Sequence, residues 1–236
     1  MEKSKLQSFI NRYYLAGNCE AVTLKDNGSD IGCDLIDQDQ TVVGKIKWKT
    51  TPFMKGALGI NHTGALTKML GAVGENINID VQEASGKNYA MKISEGSTKV
   101  TFMLADTTVI PAVPTINAEP NYEVTINVDD EFITKFIKAK NALPDAKNFA
   151  VQVKSGKIIF VINYTTINAD NISFEIGNTQ GTDLDPICFS ADKLKEVLVA
   201  NRGDQGTLHV SPDGLARIDF VGPDFESSYW LVQLQN

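Results

Sequence analysis

Hydrophobic and polar residues alternate along four stretches of the chain, each interrupted once by a short polar turn. Every one of these turns ends in glycine, at Gly28, Gly86, Gly156 and Gly214. Asn-Gly, Asp-Gly and, more weakly, Ser-Gly suit the left-handed backbone of a tight turn between two paired strands. The pattern therefore predicts four β-hairpins.

The spacing of the four hairpins is itself repeated. Gly28 and Gly86 lie 58 residues apart, as do Gly156 and Gly214, and the second pair follows the first after 128 residues. Equal half-spacings inside a longer period are typical of a duplicated architecture. We interpret the chain as two similar halves, each of which contains two similar units.

An amphipathic segment with helical periodicity precedes each hairpin. The four predicted helices are Lys3–Leu15, Thr63–Val73, Asp130–Ala142 and Ser190–Ala200. Asp129 or Asp130 can cap the third helix, and Ser190 can cap the fourth. The remaining strand-like runs are Val42–Trp48, Lys99–Leu104, Tyr122–Asn127, Asn171–Ile176 and Ser228–Leu234.

A proline-containing stretch separates the second unit from the third. Residues 105–124 hold Pro111, Pro114 and Pro120, and they show neither a helical nor a hairpin pattern. Proline removes a backbone donor and favours extended chain, which suits a crossover linker. We therefore predict an α+β protein with two domains, 1–115 and 116–236, each with two helices packed on antiparallel sheet.

Composition excludes several classes of protein. The 236 residues are 42% hydrophobic, which is ordinary for a globular protein and unlike disordered or fibrous chains. No apolar run approaches a membrane span, and the first residues lack the pattern of a signal peptide. Three cysteines without a CxxC pair predict a reducing, cytoplasmic setting. No convergent catalytic set, cofactor motif or metal-ligand cluster is visible, so we expect neither an enzyme nor a cofactor.

The net charge of −7 and the pI of about 4.9 argue at first against nucleic-acid binding. The charges are unevenly distributed, however, because the four helical windows 2–15, 63–73, 130–142 and 190–202 carry ten basic and five acidic residues. The solvated face of an amphipathic helix explains any single lysine. The shared sign across all four windows favours a positive strip on an acidic body, and such a strip attracts phosphate without reading sequence.

Several stretches resemble the DNA sliding clamps, especially those of T-even-like tailed phages, whose fold is similar to that of proliferating cell nuclear antigen. The stretches are LGINHTGALTKML (58–70), INIDVQEASGKNYAMKIS (77–94), FAVQVKSGKIIFVIN (149–163) and ARIDFVGPDFESSYWLVQL (216–234). The resemblance covers nearly the whole chain and both halves. Two departures are a short, proline-rich linker and the lack of a recognisable peptide-binding signature.

The resemblance implies a homotrimeric ring that encircles double-stranded DNA. Such a ring is placed on DNA by a clamp loader, holds the DNA polymerase on its template, and in phages of this kind also engages late-transcription factors. The helices would then line the hole, and their basic residues would face the DNA. The DNA-facing residues predicted on this basis are Lys5, Arg12, Lys68, Lys135, Lys138, Lys193 and Arg202.

Ring closure in this family pairs an edge strand of one chain with an edge strand of the next. By position in the repeat the candidates are Lys99–Leu104 and Ile172–Ile176. The predicted interface residues are Phe102, Met103, Phe174 and Ile176. The alternative is that both strands are ordinary sheet members whose phenylalanines lie in the core.

The family also accepts short apolar peptides in a pocket near the linker and the C-terminal strand. The predicted pocket residues are Val109, Ile110, Val113, Tyr229, Trp230, Leu231 and Leu234. The alternative is that these residues merely seal the junction between the domains. For the whole protein, the competing hypothesis is a β-rich, oligomeric phage tube or baseplate component, although such proteins rarely contain four regularly spaced basic helices.

Overall fold

The computed structural model describes residues 1–116 and 118–235. The chain divides into two compact units. The first contains Met1–Pro114 together with Pro223–Ser227, and the second contains Thr115–Gly222 and the chain from Ser228 onward. The predicted division at residue 115 placed the short segment Pro223–Ser227 in the second domain, whereas in the structure it clusters with the first unit.

The first unit combines two helices with seven strands in two antiparallel sheets. The helices are α1 (Lys3–Tyr14) and α2 (Thr63–Leu70). One sheet has the order β4-β1-β2-β3, built from β1 (Val22–Asp26), β2 (Ile31–Ile36), β3 (Val42–Trp48) and β4 (Ala57–Ile60). The other has the order β5-β6-β7, built from β5 (Asn78–Ala84), β6 (Lys87–Glu95) and β7 (Thr98–Met103).

The second unit repeats this plan with one more full strand. Its elements are β8 (Val124–Val128), α3 (Asp130–Ala142), β9 (Asn148–Lys154), β10 (Lys157–Ile162), β11 (Ile172–Asn178), β12 (Leu184–Ser190), α4 (Ala191–Ala200), β13 (Gln205–Val210), β14 (Leu215–Val221) and most of β15 (Phe225–Val232). The first three residues of β15 belong to the segment Pro223–Ser227 of the first unit. One sheet has the order β11-β10-β9-β12, and in the other β13 lies between β8 and β14, with β15 next to β14.

All four predicted hairpins are confirmed. They are β1–β2, β5–β6, β9–β10 and β13–β14, all antiparallel. The glycine that ends each turn has a positive φ, between 75° and 84°. Only a residue without a Cβ adopts this conformation at no steric cost, which is why the turn glycines could be read from the sequence.

The four predicted helices are also confirmed, with ends that differ by a few residues. The Asp129 carboxylate accepts a hydrogen bond from the Phe132 N–H, and the Ser190 hydroxyl accepts one from the Lys193 N–H. These side chains satisfy donors that the first turn of a helix leaves unpaired. Within each unit the two helices pack against one another, α1 on α2 and α3 on α4. The fold is α+β, as predicted.

Two strands were not predicted. β4 is only four residues long, too short to show alternation. β12 contains Pro186, and its pairing with β9 shifts register between Leu184 and Ile187. Proline cannot donate to a ladder and is found in sheets at edges and bulges, so the sequence around it did not look like a strand.

Each unit has an aromatic core between its helices and sheets. In the first unit the Phe9 ring lies 5.2 Å from Trp48 and 6.5 Å from Phe225. In the second unit Phe136, Phe149, Phe160 and Phe189 are all fully buried. Aromatic side chains bury large apolar areas, so these clusters fix the helices on their sheets and thereby set which helical residues face outward.

Candidate nucleic-acid interface and partner clefts

In the first unit, two predicted DNA-facing lysines reach the surface. The Lys68 side chain on α2 is exposed. Lys5 on α1 is half-exposed, and its Nζ lies 3.2 Å from the Asp224 Oδ1. Both partners of that ion pair are more than a third exposed, so water screens the contact and Lys5 can exchange Asp224 for a phosphate at little cost.

Arg12 does not face solvent, and its predicted DNA-facing role is wrong. Only 6% of the residue is exposed, and its guanidinium carbon lies 4.1 Å from the centre of the Phe225 ring. Its Nη1 donates to the Ser8 carbonyl at 2.9 Å. The stripe on α1 suggested a solvent-facing arginine, but Phe225 covers that part of the helix.

In the second unit, the predicted residues lie on or beside α3 and α4. Lys135, Lys138 and Arg202 are exposed, and Lys193 is half-exposed. The Lys135 Nζ lies 5.1 Å from the centre of the Phe174 ring, and the Arg202 Nη2 donates to the Thr134 Oγ1 at 3.3 Å. Arg202 therefore lies beside α3 although it follows α4 in the chain. The pair of helices presents cations from both members.

Lys140 is one of the ten basic residues in the helical windows, but its ammonium adds no positive charge to the accessible surface because it is buried. It is 4% exposed, and its Nζ lies 2.9 Å from the Asp192 Oδ1 and 2.7 Å from the Pro144 carbonyl oxygen. A buried ammonium needs such partners because water no longer solvates it. Composition alone therefore overstates how many helical cations can meet a ligand.

The two predicted interface strands are both edges of their sheets in the described part of the chain: β7 in the first unit and β11 in the second. Met103 on β7 is 61% exposed, whereas Phe102 is only 5% exposed. Phe174 and Ile176 on β11 are half-buried, and the Phe174 ring stacks on Phe160 at 5.8 Å. The prediction is therefore wrong for Phe102, which belongs to the core of its unit.

Three of the predicted pocket residues on the C-terminal strand are buried. Tyr229, Trp230 and Leu231 are at most 5% exposed. The Tyr229 hydroxyl accepts a hydrogen bond from the Asn201 Nδ2 at 3.0 Å, and the Arg217 guanidinium carbon lies 5.3 Å from the centre of the Trp230 ring. Leu234 is half-exposed, and its N–H donates to the Cys188 carbonyl. The predicted pocket is wrong for the three buried residues, because contacts on both faces of β15 cover them.

The linker residues of the predicted pocket do lie at the surface. Val109 is 67% exposed, and Ile110 and Val113 are half-buried. Beside them in the first unit is a cleft of about 290 Å³, which sequence reasoning missed. Its lining includes Ile36, Asp37, Gln38, Gln40, Pro111 and Ala112. The prolines of the linker were visible in the sequence, but their approach to the β2–β3 turn was not.

Ion pairs hold both ends of the linker. The Lys87 Nζ lies 2.6 Å from the Asp106 Oδ2, and this hydrogen bond, together with those from Thr108, holds the pKa of Asp106 well below its ordinary value. At the other end both Glu119 oxygens lie 2.7 Å from the Arg217 Nη1. Burial alone would lower the pKa of Arg217, but the bonds to Glu119 and Asp219 raise it.

Within residues 1–116 and 118–235, no three His, Cys, Asp or Glu side chains come together as metal ligands. Cys19, Cys33 and Cys188 are free thiols and buried. Burial raises the pKa of the Cys33 thiol well above its ordinary value. In the described part of the chain, no helix combines the length and the apolar character that crossing a bilayer requires.

The structure is similar over its full length to solved sliding clamps. It superposes on PCNA of A. fulgidus, in a structure with the C-terminal region of FEN-1 bound, with a TM-score of 0.77, 16% identity and coverage of 100% of this chain and 97% of that one. The match to a Sulfolobus tokodaii PCNA2–PCNA3 complex has a TM-score of 0.74 and 12% identity, and it covers 99% of this chain and 97% of that one. The match to PCNA of Entamoeba histolytica has a TM-score of 0.73 and 14% identity, and it covers 99% of this chain and 96% of that one.

These matches define the architecture as that of the PCNA-type sliding clamps, as the resemblance in sequence implied. No protein-family model matches the sequence, and no curated protein matches it either. With identities of 12–16%, the likeness is one of fold. A clamp fold over the entire chain does not favour the tube or baseplate alternative.

Proposed function

We propose that this protein is a DNA sliding clamp, a non-enzymatic ring that encircles duplex DNA and tethers a replicative polymerase. The observation that carries the proposal is the full-length clamp fold, in which each unit presents exposed cations from its pair of helices. The acidic remainder of the chain would repel DNA elsewhere, so the electrostatics favour contact along the helices alone.

The proposed DNA contacts are the accessible members of the predicted set. They are Lys5, Lys68, Lys135, Lys138, Lys193 and Arg202. Five of these six residues are lysines, whose flexible ammonium groups make replaceable contacts with phosphate. Contacts of this kind position a protein on DNA without reading bases, which is what movement along the duplex requires.

For the ring we propose a homotrimer closed by β7 of one chain and β11 of the next. The Leu104 N–H donates to the Tyr89 carbonyl in the adjacent strand β6. Because backbone groups alternate sides along an antiparallel strand, the N–H and C=O of Met103 point away from β6. Together with the exposed Met103 side chain, they form an edge that can accept another strand.

The proposed partners are a DNA polymerase, a clamp loader and, if the protein is of T-even-like phage origin, late-transcription factors in the host cytoplasm. For their peptides we propose the cleft beside Pro111 and Ala112, with Val109, Ile110 and Val113 next to it. This surface is apolar and concave, as peptide sites are. Leu234 stays a candidate because it is half-exposed.

A charge-reversal experiment tests the proposal. In the variant with Lys135→Glu, Lys138→Glu and Lys193→Glu, we expect the cognate polymerase to lose its processive synthesis while the molar mass in solution is unchanged. The matched control reverses Lys45, Lys92 and Lys154, which are exposed lysines on strands. Unchanged processivity in the helical variant, or an equal loss in the control, would contradict the proposal.

A further inference from the structure

The two units differ at one edge of their second sheet. In the second unit β13, the first strand after α4, pairs with β8 along Gly206–Val210. In the first unit β5 is the corresponding first strand after α2, and it is an edge of its sheet. Among the described residues, the position equivalent to β8 is held only by the isolated bridge between Glu2 and Asn76.

The backbone of β5 directs hydrogen-bonding groups toward that open side. The Ile77 N–H donates to the Met1 carbonyl at 3.0 Å, and the Met1 amino group donates to the Ile77 carbonyl at 2.7 Å. In an antiparallel strand, residues two and four positions further on face the same way. The N–H and C=O groups of Ile79 and Val81 therefore point to the side of the sheet that Met1 covers at Ile77.

A cleft of about 540 Å³, with both apolar and polar residues in its lining, adjoins this edge. Ile79 and Val81 line it from β5, and Pro52 and Phe53 line it from the loop between β3 and β4. All four are half-buried, so their apolar side chains remain partly open to solvent. The Phe53 ring is held by an edge-on contact with Trp48 at 6.4 Å, which gives the cleft a fixed wall.

Most of the charged residues that line the cleft are acidic. Its lining contains the carboxylates of Asp26, Asp80 and Glu83 and a single cation, Lys55. Asp80 and Glu83 are exposed, and they lie on the strand whose backbone edge is open. An extended peptide with apolar residues for the cleft and lysine or arginine between them would complement both the apolar side chains and the carboxylates of its lining.

The cleft is separate from the one beside the linker. It contains the β1–β2 turn residues Asp26 and Gly28, whereas the linker cleft contains the β2–β3 turn residues Asp37 and Gln38. These two turns lie at opposite ends of the six-residue strand β2. At about 3.4 Å per residue, they are about 20 Å apart.

We infer that the open edge of β5, with its adjoining acidic cleft, is a docking site for an extended basic segment of a partner protein. The segment pairs with Ile79 and Val81 as an added strand, inserts apolar side chains between Phe53 and Val81, and places a cation near Asp80. This is the strand-addition mode of peptide recognition. Docking at β5 requires neither DNA binding nor ring closure, and it leaves the linker cleft free for a second partner.

The test uses the full chain and fluorescent nine-residue peptides that alternate valine or leucine with lysine. We expect saturable binding, weakened at least tenfold by Asp80→Lys and by Phe53→Ala. Asp145→Lys, which makes the same charge change at an exposed site in the second unit, should leave affinity unchanged. Peptide binding should also slow hydrogen exchange at the Ile79 and Val81 amides.

Backbone pairing is tested with peptides methylated on alternate amide nitrogens. An added strand uses one edge, so methylation of one alternate set should abolish binding and methylation of the other should not. Absence of saturable binding by any peptide, equal affinity of both methylated sets, or unchanged exchange at β5 would overturn the inference. So would self-association of the chain that Asp80→Lys abolishes, since a second copy would then occupy the edge.

Discussion

Arg12 on the first helix lies over the ring of Phe225, with 4.1 Å between its guanidinium carbon and the ring centre. Phe225 belongs to the short segment that returns to the first unit from the far end of the chain. The arginine therefore connects two parts of one core through its contact with the aromatic ring.

Because Arg12 is buried against Phe225 and Lys138 is exposed, alanine substitutions of these two helical cations should differ in their effect on stability. Arg12→Ala should lower the free energy of unfolding by about 2 kcal/mol, because it removes the stacking on Phe225 and leaves unfilled space. Lys138→Ala should leave stability within about 0.5 kcal/mol of the wild type, since Lys138 is exposed. Urea unfolding followed by fluorescence measures both.

The same pair of variants should behave in the opposite way toward DNA. Loss of Lys138 removes a phosphate contact, so the slope of log affinity against log salt should fall by about 0.9. Arg12→Ala should not change that slope in protein that is fully folded. A salt slope for Arg12→Ala as low as that of Lys138→Ala would show that Arg12 reaches DNA after all.

Lys140 and Asp192 form the second test of helix packing. Asp192→Ala removes the carboxylate that pairs with Lys140, a residue that is only 4% exposed, and leaves the hydrogen bond from its ammonium to the Pro144 carbonyl. We therefore expect the free energy of unfolding to fall by about 2 kcal/mol. Lys140→Met removes the charge together with its need for a partner and should cost less. The control Lys147→Met changes an exposed lysine 3.8 Å from the same carboxylate and should be nearly neutral.

If Lys140→Met proved as destabilising as Asp192→Ala, the ion pair itself, and not the burial of an unpaired charge, would dominate. Chemical denaturation midpoints at one pH and salt concentration distinguish the two cases.

Met103→Pro tests ring closure. The substitution removes a backbone donor that points away from β6, so the hydrogen bonds within the first unit survive. We expect light scattering to report about 25.7 kDa for the variant and about three times that mass for the wild type, with the same far-ultraviolet circular dichroism. A trimer of Met103→Pro would mean that another edge forms the interface.

The three thiols provide a check on the cores of both units. Cys33 is buried and its thiol pKa is raised by that burial, so at pH 8 it holds little of the reactive thiolate. Cys188 is buried, and its pKa is raised for the same reason. We expect Ellman's reagent to find no fast-reacting thiol in native protein and three in denaturant. A rapid first equivalent would show that one of these sites is open.

Features that depend on neighbouring residues could be predicted, and those that depend on distant ones could not. The turn at Gly28 is fixed by its own backbone, and the cap at Ser190 bonds to a residue three positions later. The burial of Arg12 depends on Phe225, and that of Lys140 on Asp192. Periodicity assigned the correct helices, but it did not show which of their charged residues another element covers.

In the candidate sites, too, the features set by local sequence could be predicted and those set by tertiary contacts could not. The exposure of Lys68 and Lys138 follows from the polar side of a helix and was predicted correctly. The C-terminal strand also alternates, but both of its faces are covered, so Trp230 and Leu231 are buried alike. The linker cleft depends on where Pro111 meets the β2–β3 turn, a tertiary contact that no local pattern encodes.

A protein that holds DNA by encircling it should stay bound only while the DNA has no free end. The most direct measurement compares retention of the labelled protein on a nicked circular plasmid and on the same plasmid cut once, after loading by the cognate clamp loader. At 0.5 M salt, phosphate contacts are weak, and only a closed ring on closed DNA is trapped. We predict retention on the circle and rapid loss from the linear form. Equal loss from both forms would show that the protein does not encircle DNA.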